Sequence, residues 1–519
     1  MKEIRVKRII SVLMCVLMLA SLCACKDKTT NLDSGERSLT HKISDEPIEL
    51  TFFAKEIDDA QDESVFAEAY DMTNILLKPT ISENVTDMDQ ALALAVAAKN
   101  IPDVIYDWKQ ENFNKYGMQG ALIPLNDLID KYAPNYKKFL EENPDIKYFS
   151  TASDGNIYFI PSIADGEAST GWFIRQDWLD KLGMKAPDSL EEFYKVMVAF
   201  RDKDPNGNGK KDEVPYFGSQ ADVATLLSLF DAYEGFRYEN GKVSFGPMED
   251  KFLTAIKEIG KWYQEGLIDV EFFTRTDARD YLTSNNTGGI THNWFGSTAK
   301  INDTLKGVVP GFSLVPFDPP KGIDGVRREI NRRGRTNGEG WAISSMNKHP
   351  EETMKYFDFW FTEEGRRLAN FGIEGLHYDL IDGKPVFKDA ILNGDTAISV
   401  RMLNARAQSN FGYWQDYNYE AQWTNEIARA GVEMYQKGGY LPALIERPAL
   451  SYFDGEKRHN VLKTQLETYV DENMQHWILG TRDPDADFAS FKATLKNMGV
   501  DEYISIEQKA YDKYLEVMK

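Results

Sequence analysis

Cysteine is almost missing from this sequence. Among 519 residues only Cys15, Cys23 and Cys25 occur, all near the start. Beyond them the chain can form no disulfide, no thiolate metal site and no cysteine nucleophile. Histidine is sparse as well: His41, His292, His349, His377, His459 and His476 lie scattered, without a His-Glu-x-x-His spacing. Nor is there a Gly-x-Ser-x-Gly, so the signatures of zinc and serine hydrolases are lacking. The longest apolar run near the start, Ile9 to Leu22, is 14 residues, too short for a typical membrane-spanning helix. Basic residues are outnumbered, 60 against 82 acidic, for a net charge of −22. Such a surface repels phosphate backbones and favours solubility, which argues against nucleic-acid binding.

What is present starts with an address. Lys2, Arg5, Lys7 and Arg8 precede the apolar run, which ends in Leu22-Cys23-Ala24-Cys25 and turns polar at once. This is the layout of a secretory signal, and its end resembles a bacterial lipobox. The expectation is a signal peptide over 1–24 and a diacylglyceryl group on Cys25, although Cys23 is an unusual occupant of its place. Two acyl chains hold a protein stably at a membrane. Residues 25–46 are polar and aperiodic and read as a tether. With 42% hydrophobic residues, the rest is long enough for two lobes.

The pattern then alternates. Ile48 to Phe53 reads as a strand, Asp87 to Lys99 as a helix, and Ile101-Pro102-Asp103-Val104-Ile105-Tyr106 as a buried strand. Strand, helix, strand at this spacing predicts an α/β lobe with parallel strands. Further strands are expected at Trp172 to Arg175, Gly288 to Thr291, Phe312 to Pro316 and Gly340 to Ser344. Pro350 opens a helix expected to run from Glu351 to Asn370, and from about Ala390 the chain reads as mostly helical.

Asp202 to Glu213 reads D-K-D-P-N-G-N-G-K-K-D-E. A hard cation such as Ca²⁺ wants six to eight oxygens from a tight, glycine-bearing loop. Two registers fit. One starts at Asp202 with Glu213 twelfth. The other starts at Asp204 and uses Asp204, Asn206, Asn208, the Lys210 carbonyl, Asp212 and Glu213. In either, the ion would be structural. The alternative is a solvated turn.

The chain has 10 Trp and 25 Tyr. Flat rings suit the C–H faces of sugars, and strand ends suit ligand sites. Trp108, Trp172, Trp294, Tyr413 and Trp414 are the candidates; Trp262, Trp341, Trp360 and Trp477 sit in apolar patterns and read as core. Arg332, Arg333 and Arg335 form an isolated basic cluster. With Arg175 and Arg401 they would suit a uronate carboxylate; the alternative is a solvated loop making surface ion pairs.

The order Ile-Pro-Asp-Val-Ile, Gly-Asn-Ile-Tyr-Phe-Ile-Pro, Trp-Phe-Ile-Arg-Gln-Asp-Trp-Leu-Asp-Lys-Leu-Gly, Asp-Pro-Asn-Gly-Asn-Gly-Lys-Lys-Asp-Glu, His-Pro-Glu-Glu and Gly-Ile-Glu-Gly-Leu-His-Tyr resembles the extracellular solute-binding lipoproteins of carbohydrate ABC importers, the alginate-oligosaccharide-binding and LplA-type subgroup. The resemblance spans most of 46–519. It implies a two-lobed α/β Venus-flytrap fold, type II-like, with a larger helix-rich C-terminal lobe. It also implies a monomer at the outer face of the cell membrane or in the periplasm, anchored by lipid alone, that passes oligosaccharides to ABC permease subunits and catalyses nothing. It favours the calcium register starting at Asp204. The lobes expected are 47–165 with 285–340, and 166–284 with 341–519. The rival readings are a secreted polysaccharide-degrading enzyme and a ligand sensor of the same fold.

Overall fold

The computed structural model describes residues 41–54, 64–82, 84–164, 168–275, 277–330, 334–336, 338–394, 407–408, 412–440, 448, 450–452 and 455–519. The signal segment and Cys25 lie outside the described residues.

Thirteen strands occur among the described residues: β1 (Ile48–Phe53), β2 (Ile75–Pro79), β3 (Val104–Asp107), β4 (Ile160–Pro161), β5 (Thr170–Arg175), β6 (Val214–Tyr216), β7 (Phe236–Glu239), β8 (Lys242–Phe245), β9 (Gly288–Trp294), β10 (Leu314–Phe317), β11 (Gly340–Ile343), β12 (Tyr378–Ile381) and β13 (Lys384–Phe387). Nine of them make two main sheets, ordered β2-β1-β3-β11-β4 and β10-β5-β9-β6. In the first, β1, β2 and β3 run parallel and β11 antiparallel to β3 and β4. The parallel part follows from strand–helix–strand chemistry. Asp87 caps the Met88–Ala97 helix, accepting from Gln90 N at 2.9 Å, and that helix returns the chain to β3 beside β1.

Each sheet anchors its own core. Lobe one holds Leu50, Phe52, Tyr136, Trp341, Phe357 and Trp360; lobe two holds Trp172, Trp178, Phe193, Trp262, Phe295 and Trp477. All four tryptophans expected in cores are buried there. Trp341 stacks on Phe357 with ring centroids 4.3 Å apart.

The lobe boundaries expected from sequence need correction. β9 and β10 pair with β5, so 288–317 belongs to lobe two. β11 sits between β3 and β4, so 340–371 belongs to lobe one. Lobe one therefore gathers about 43–163 and 340–423, and lobe two about 170–317 and 426–519. Three helices, Glu456–Ile478, Pro484–Met498 and Val500–Val517, make lobe two the larger and more helical. Among the described residues the chain passes between lobes after Ala164, between Phe317 and Gly340, and at Thr424 and Asn425.

The expected helix from Glu351 to Asn370 is two helices, Pro350–Phe359 and Glu363–Phe371. Thr362 caps the second, accepting from Gly365 N at 3.0 Å. Gly365 is needed for the bend, since a Cβ there would lie 1.9 Å from the Phe359 carbonyl oxygen.

Candidate functional site

The crossing segments lie side by side. Ser162 N donates to Glu339 O and Ala164 N to Arg335 O, both at 2.8 Å. Ile163 N donates to Tyr413 O, and Gln415 N returns a bond to Ile163 O, again at 2.8 Å. Strand ends converge on this seam from both lobes. In lobe one, Trp108 follows β3, and Gly338 (φ +92°) of the second crossing presses against it. A Cβ on Gly338 would lie 3.1 Å from Gln110 N and 3.5 Å from Trp108 O. In lobe two, Trp294 ends β9 opposite Thr170, the first residue of β5, and Phe295 N donates to Ser169 O at 2.9 Å.

Trp108 is 44% exposed, with Tyr106 against its edge at 5.1 Å. Trp294 is half-buried. These two rings, one from each lobe, stand at the lobe boundary with surface left to offer, as does the half-buried Trp414 beside Ile163. Asp107, directly before Trp108, is buried, and burial pushes its carboxyl up to about 6. Asn112 Nδ2 (3.0 Å) and Lys109 N (2.9 Å) donate to that carboxyl and limit the rise. Asn112 also donates to Asp89 at 3.1 Å, and Asp89 pairs with Lys109. Sequence reasoning missed this polar brace. Its visible signal was an acid at the last position of an otherwise apolar strand.

The remaining described candidates are held by the protein's own side chains. Trp172 is 0% exposed, ringed by Phe193, Tyr216, His292 and Phe317. Both faces of β5 are covered, so its residues cannot reach a ligand. Arg175 is 1% exposed. Its guanidinium lies between the Trp178 and Phe312 rings at 4.5 and 4.4 Å, and bonds Asp177 and Asn286. It ties lobe two together. Arg335 is engaged by Asn143 at 2.6 Å and faces Asp145 at 3.5 Å. Tyr413 is buried at the margin of lobe one's core. Trp414 carries the Arg366 guanidinium 3.5 Å from its ring centre and Phe139 tilted at 4.9 Å. Arginine takes a ring face that a sugar would need. Arg332, Arg333 and Arg401 lie outside the described residues.

The acidic loop is wound on itself. Asp204 adopts φ +46°, with Gly207 and Gly209 at +75° and +78°. Asp204 Oδ1 accepts from Gly207 N (2.9 Å) and Asn208 N (3.1 Å), and its Oδ2 from Gly209 N (3.0 Å). Asn208 Oδ1 accepts from Lys210 N at 2.7 Å, while Asn206 and Asn208 Nδ2 donate to Asp212. Asp202 turns away to Arg201, at 2.9 and 3.0 Å. Glu213 is 8% exposed, and neither of its oxygens has a hydrogen-bond partner. Burial first, then the neighbouring Asp204 and Asp212 carboxylates, raises its carboxyl. Among the described residues no three acidic, cysteine or imidazole groups stand together at ligating distance, and the Asn208 amide donates to Asp212. Even so, an orphaned buried carboxylate beside two more acids and a run of carbonyl oxygens is a donor set suited to a hard cation. After it comes β6, not a helix, and Val214 N donates to Thr287 O at 2.8 Å, joining the loop to β9.

Three of the histidines are structural. His292 Nε2 lies 2.5 Å from Glu329 and His459 Nε2 2.8 Å from Glu507, and both pairs are buried. His377 Nδ1 accepts from Ile373 N at 2.9 Å and orders the turn after Gly372.

Two lobes joined by adjacent crossings, with strand-end rings from each beside the seam, describe a binding protein of the solute-capturing kind. The family model for bacterial extracellular solute-binding proteins matches residues 82–367, more than half of the chain, and the chain belongs to that family. It is similar to the fructooligosaccharide ABC transporter substrate-binding protein FusA of Streptococcus pneumoniae, 27% identical over 471 residues and 83% of each chain. Lipoprotein LipO of Bacillus subtilis is 27% identical over 308 residues, 56% of this chain and 59% of its own. Among solved structures, the alginate-binding protein AlgQ2 without calcium ion superimposes with a TM-score of 0.78 at 37% identity, covering 91% of this chain and 99% of its own. The two-lobed fold is thus shown, and the protein is a transport binding component rather than an enzyme.

Proposed function

We propose that this protein captures oligosaccharides at the seam between its lobes and hands them, unchanged, to an ABC permease from a lipid anchor on the outer face of the cell membrane. The observation that carries the reading is the placement of Trp108 and Trp294 at strand ends on either side of the crossings, where stacking on a sugar ring needs them. FusA and AlgQ2 are named for fructooligosaccharide and alginate, which supports a carbohydrate ligand. The lipobox ending in Cys25 and the likeness to LipO support the anchor. Asp204, Asn206, Asn208, Lys210, Asp212 and Glu213 would hold Ca²⁺, which would neutralise the buried Glu213 and clip the loop to β9. Of the described arginines that would suit a uronate, Arg175 is buried and paired with Asp177, and the partly exposed Arg335 is engaged by Asn143 beside Asp145, so neutral sugars suit the described residues better.

Titration calorimetry with oligosaccharide series, joined to an assay for new reducing ends, tests the reading. Saturable binding with no new chain ends supports it. Cleavage of a bound glycan, or no binding to any series, refutes it.

A further inference from the structure

A groove of about 960 Å³ lies apart from the crossing seam, between the Gln110–Met118 helix of lobe one and the first turns of the Glu456–Ile478 helix of lobe two. Both lobes wall it, and hydrogen bonds join the walls. Asn460 Nδ2 donates to Glu111 Oε2 at 3.0 Å, and Asn114 Nδ2 to Glu456 Oε1 at 3.5 Å. Lining charges cancel: Glu111 and Glu456 against Lys115 and Lys457. In a chain of net −22 this local neutrality is a departure. Gln119, Asn460, Thr464 and Gln465 supply amide and hydroxyl groups, while Met118 and Tyr452 supply apolar surface. Paired donors and acceptors beside an apolar strip suit an uncharged polyhydroxylated chain and offer no concentrated charge for a phosphate or polyanion.

The groove is also connected to the proposed cleft. Asn112 forms part of its wall and donates to Asp107, the residue before Trp108, at 3.0 Å. Asn112, in the first turn of the Gln110–Met118 helix, therefore ties the groove wall to the strand end that carries Trp108.

We infer that this groove is a distal subsite for neutral sugar residues extending past the cleft, and that it selects ligands by chain length. The inference rests on the oligosaccharide reading above. Because the walls belong to different lobes, a chain lying there touches both and favours their closed arrangement over an open one.

The test uses calorimetry on the purified protein with neutral fructo-, xylo- and manno-oligosaccharides graded from disaccharide to octasaccharide, beside alginate and polygalacturonate series. Gln119→Trp fills the groove from lobe one and Thr464→Trp from lobe two; both side chains are exposed, so one variant carries the test if the other melts early. In the wild type, affinity for a neutral series should rise with length. Each variant should keep wild-type affinity for the shortest binder and lose about tenfold for the longest. Long-chain affinity unchanged in a folded variant, or an equal loss at every length, overturns the subsite. So does a length gain seen only with uronate chains. Binding that is flat with length in the wild type sinks the subsite alone, whereas no binding to any series sinks the oligosaccharide reading with it.

Discussion

Single side chains separate ligand surface from core here. Trp294 and Trp172 lie on adjacent strands, yet one borders the lobe seam and the other is sealed by four rings. Trp294→Ala should weaken oligosaccharide binding by about tenfold or more while leaving the melting temperature near wild type. Trp172→Ala should instead cost on the order of 3–5 kcal/mol of stability by opening a cavity, seen as a lower denaturant midpoint. Asp107 gives a pH signature. Burial holds its folded-state value at about 6 against an ordinary 3.8. The folded protein therefore keeps a proton that the unfolded chain releases, and the stability this residue confers is lost as pH rises from about 4 to 6, by roughly 3 kcal/mol. Asp107→Asn should flatten that part of the stability profile in denaturant titrations run at successive pH values. An unchanged slope would show that Asp107 does not hold the proton.

Loops and strands carry the next level. The loop beginning at Asp204 leads into β6, which pairs with β9, which ends at Trp294. Adding a chelator to protein prepared with Ca²⁺ should lower the melting temperature. Glu213→Gln removes the unpaired buried carboxylate, so it should stabilise the calcium-free form and shrink the Ca²⁺-dependent rise. Equal rises in wild type and variant would exclude Glu213 as a ligand. At this scale the sequence was informative wherever local chemistry decides. The strands β1 and β3, the Asp87-capped helix between them in sequence, and the glycine-rich acidic loop were legible from neighbouring residues, whereas β2 was not read. The break at Trp360-Phe361-Thr362 was not, because the apolar period continues through it and the sign of a new helix is Thr362 capping Gly365 N. Trp172 was misread because a strand leaving a polar loop looks half-exposed until helices are seen on both its faces. Arg175 was misread because aromatic partners at 178 and 312 come from different elements.

Across the whole molecule, topology was the hidden quantity. β9, β10 and β11 each pair with strands distant in sequence, and no local signal says which sheet receives them; that is why the lobe halves were exchanged. The two-lobed plan itself was expected from the ordered motifs, and the crossings now show how it is built. An anchored form should behave accordingly: Cys25→Ala should abolish labelling by radioactive palmitate and move the protein from the membrane fraction to the medium or periplasm. Retained label would place the lipid elsewhere. The central claim is that the lobes close over a sugar, since a ligand gripped from both sides must bind the closed form better. Small-angle X-ray scattering of the protein before and after saturation with its best-binding oligosaccharide tests this most directly. A smaller radius of gyration in the saturated sample is the predicted result; a scattering curve unchanged at full calorimetric saturation would contradict it.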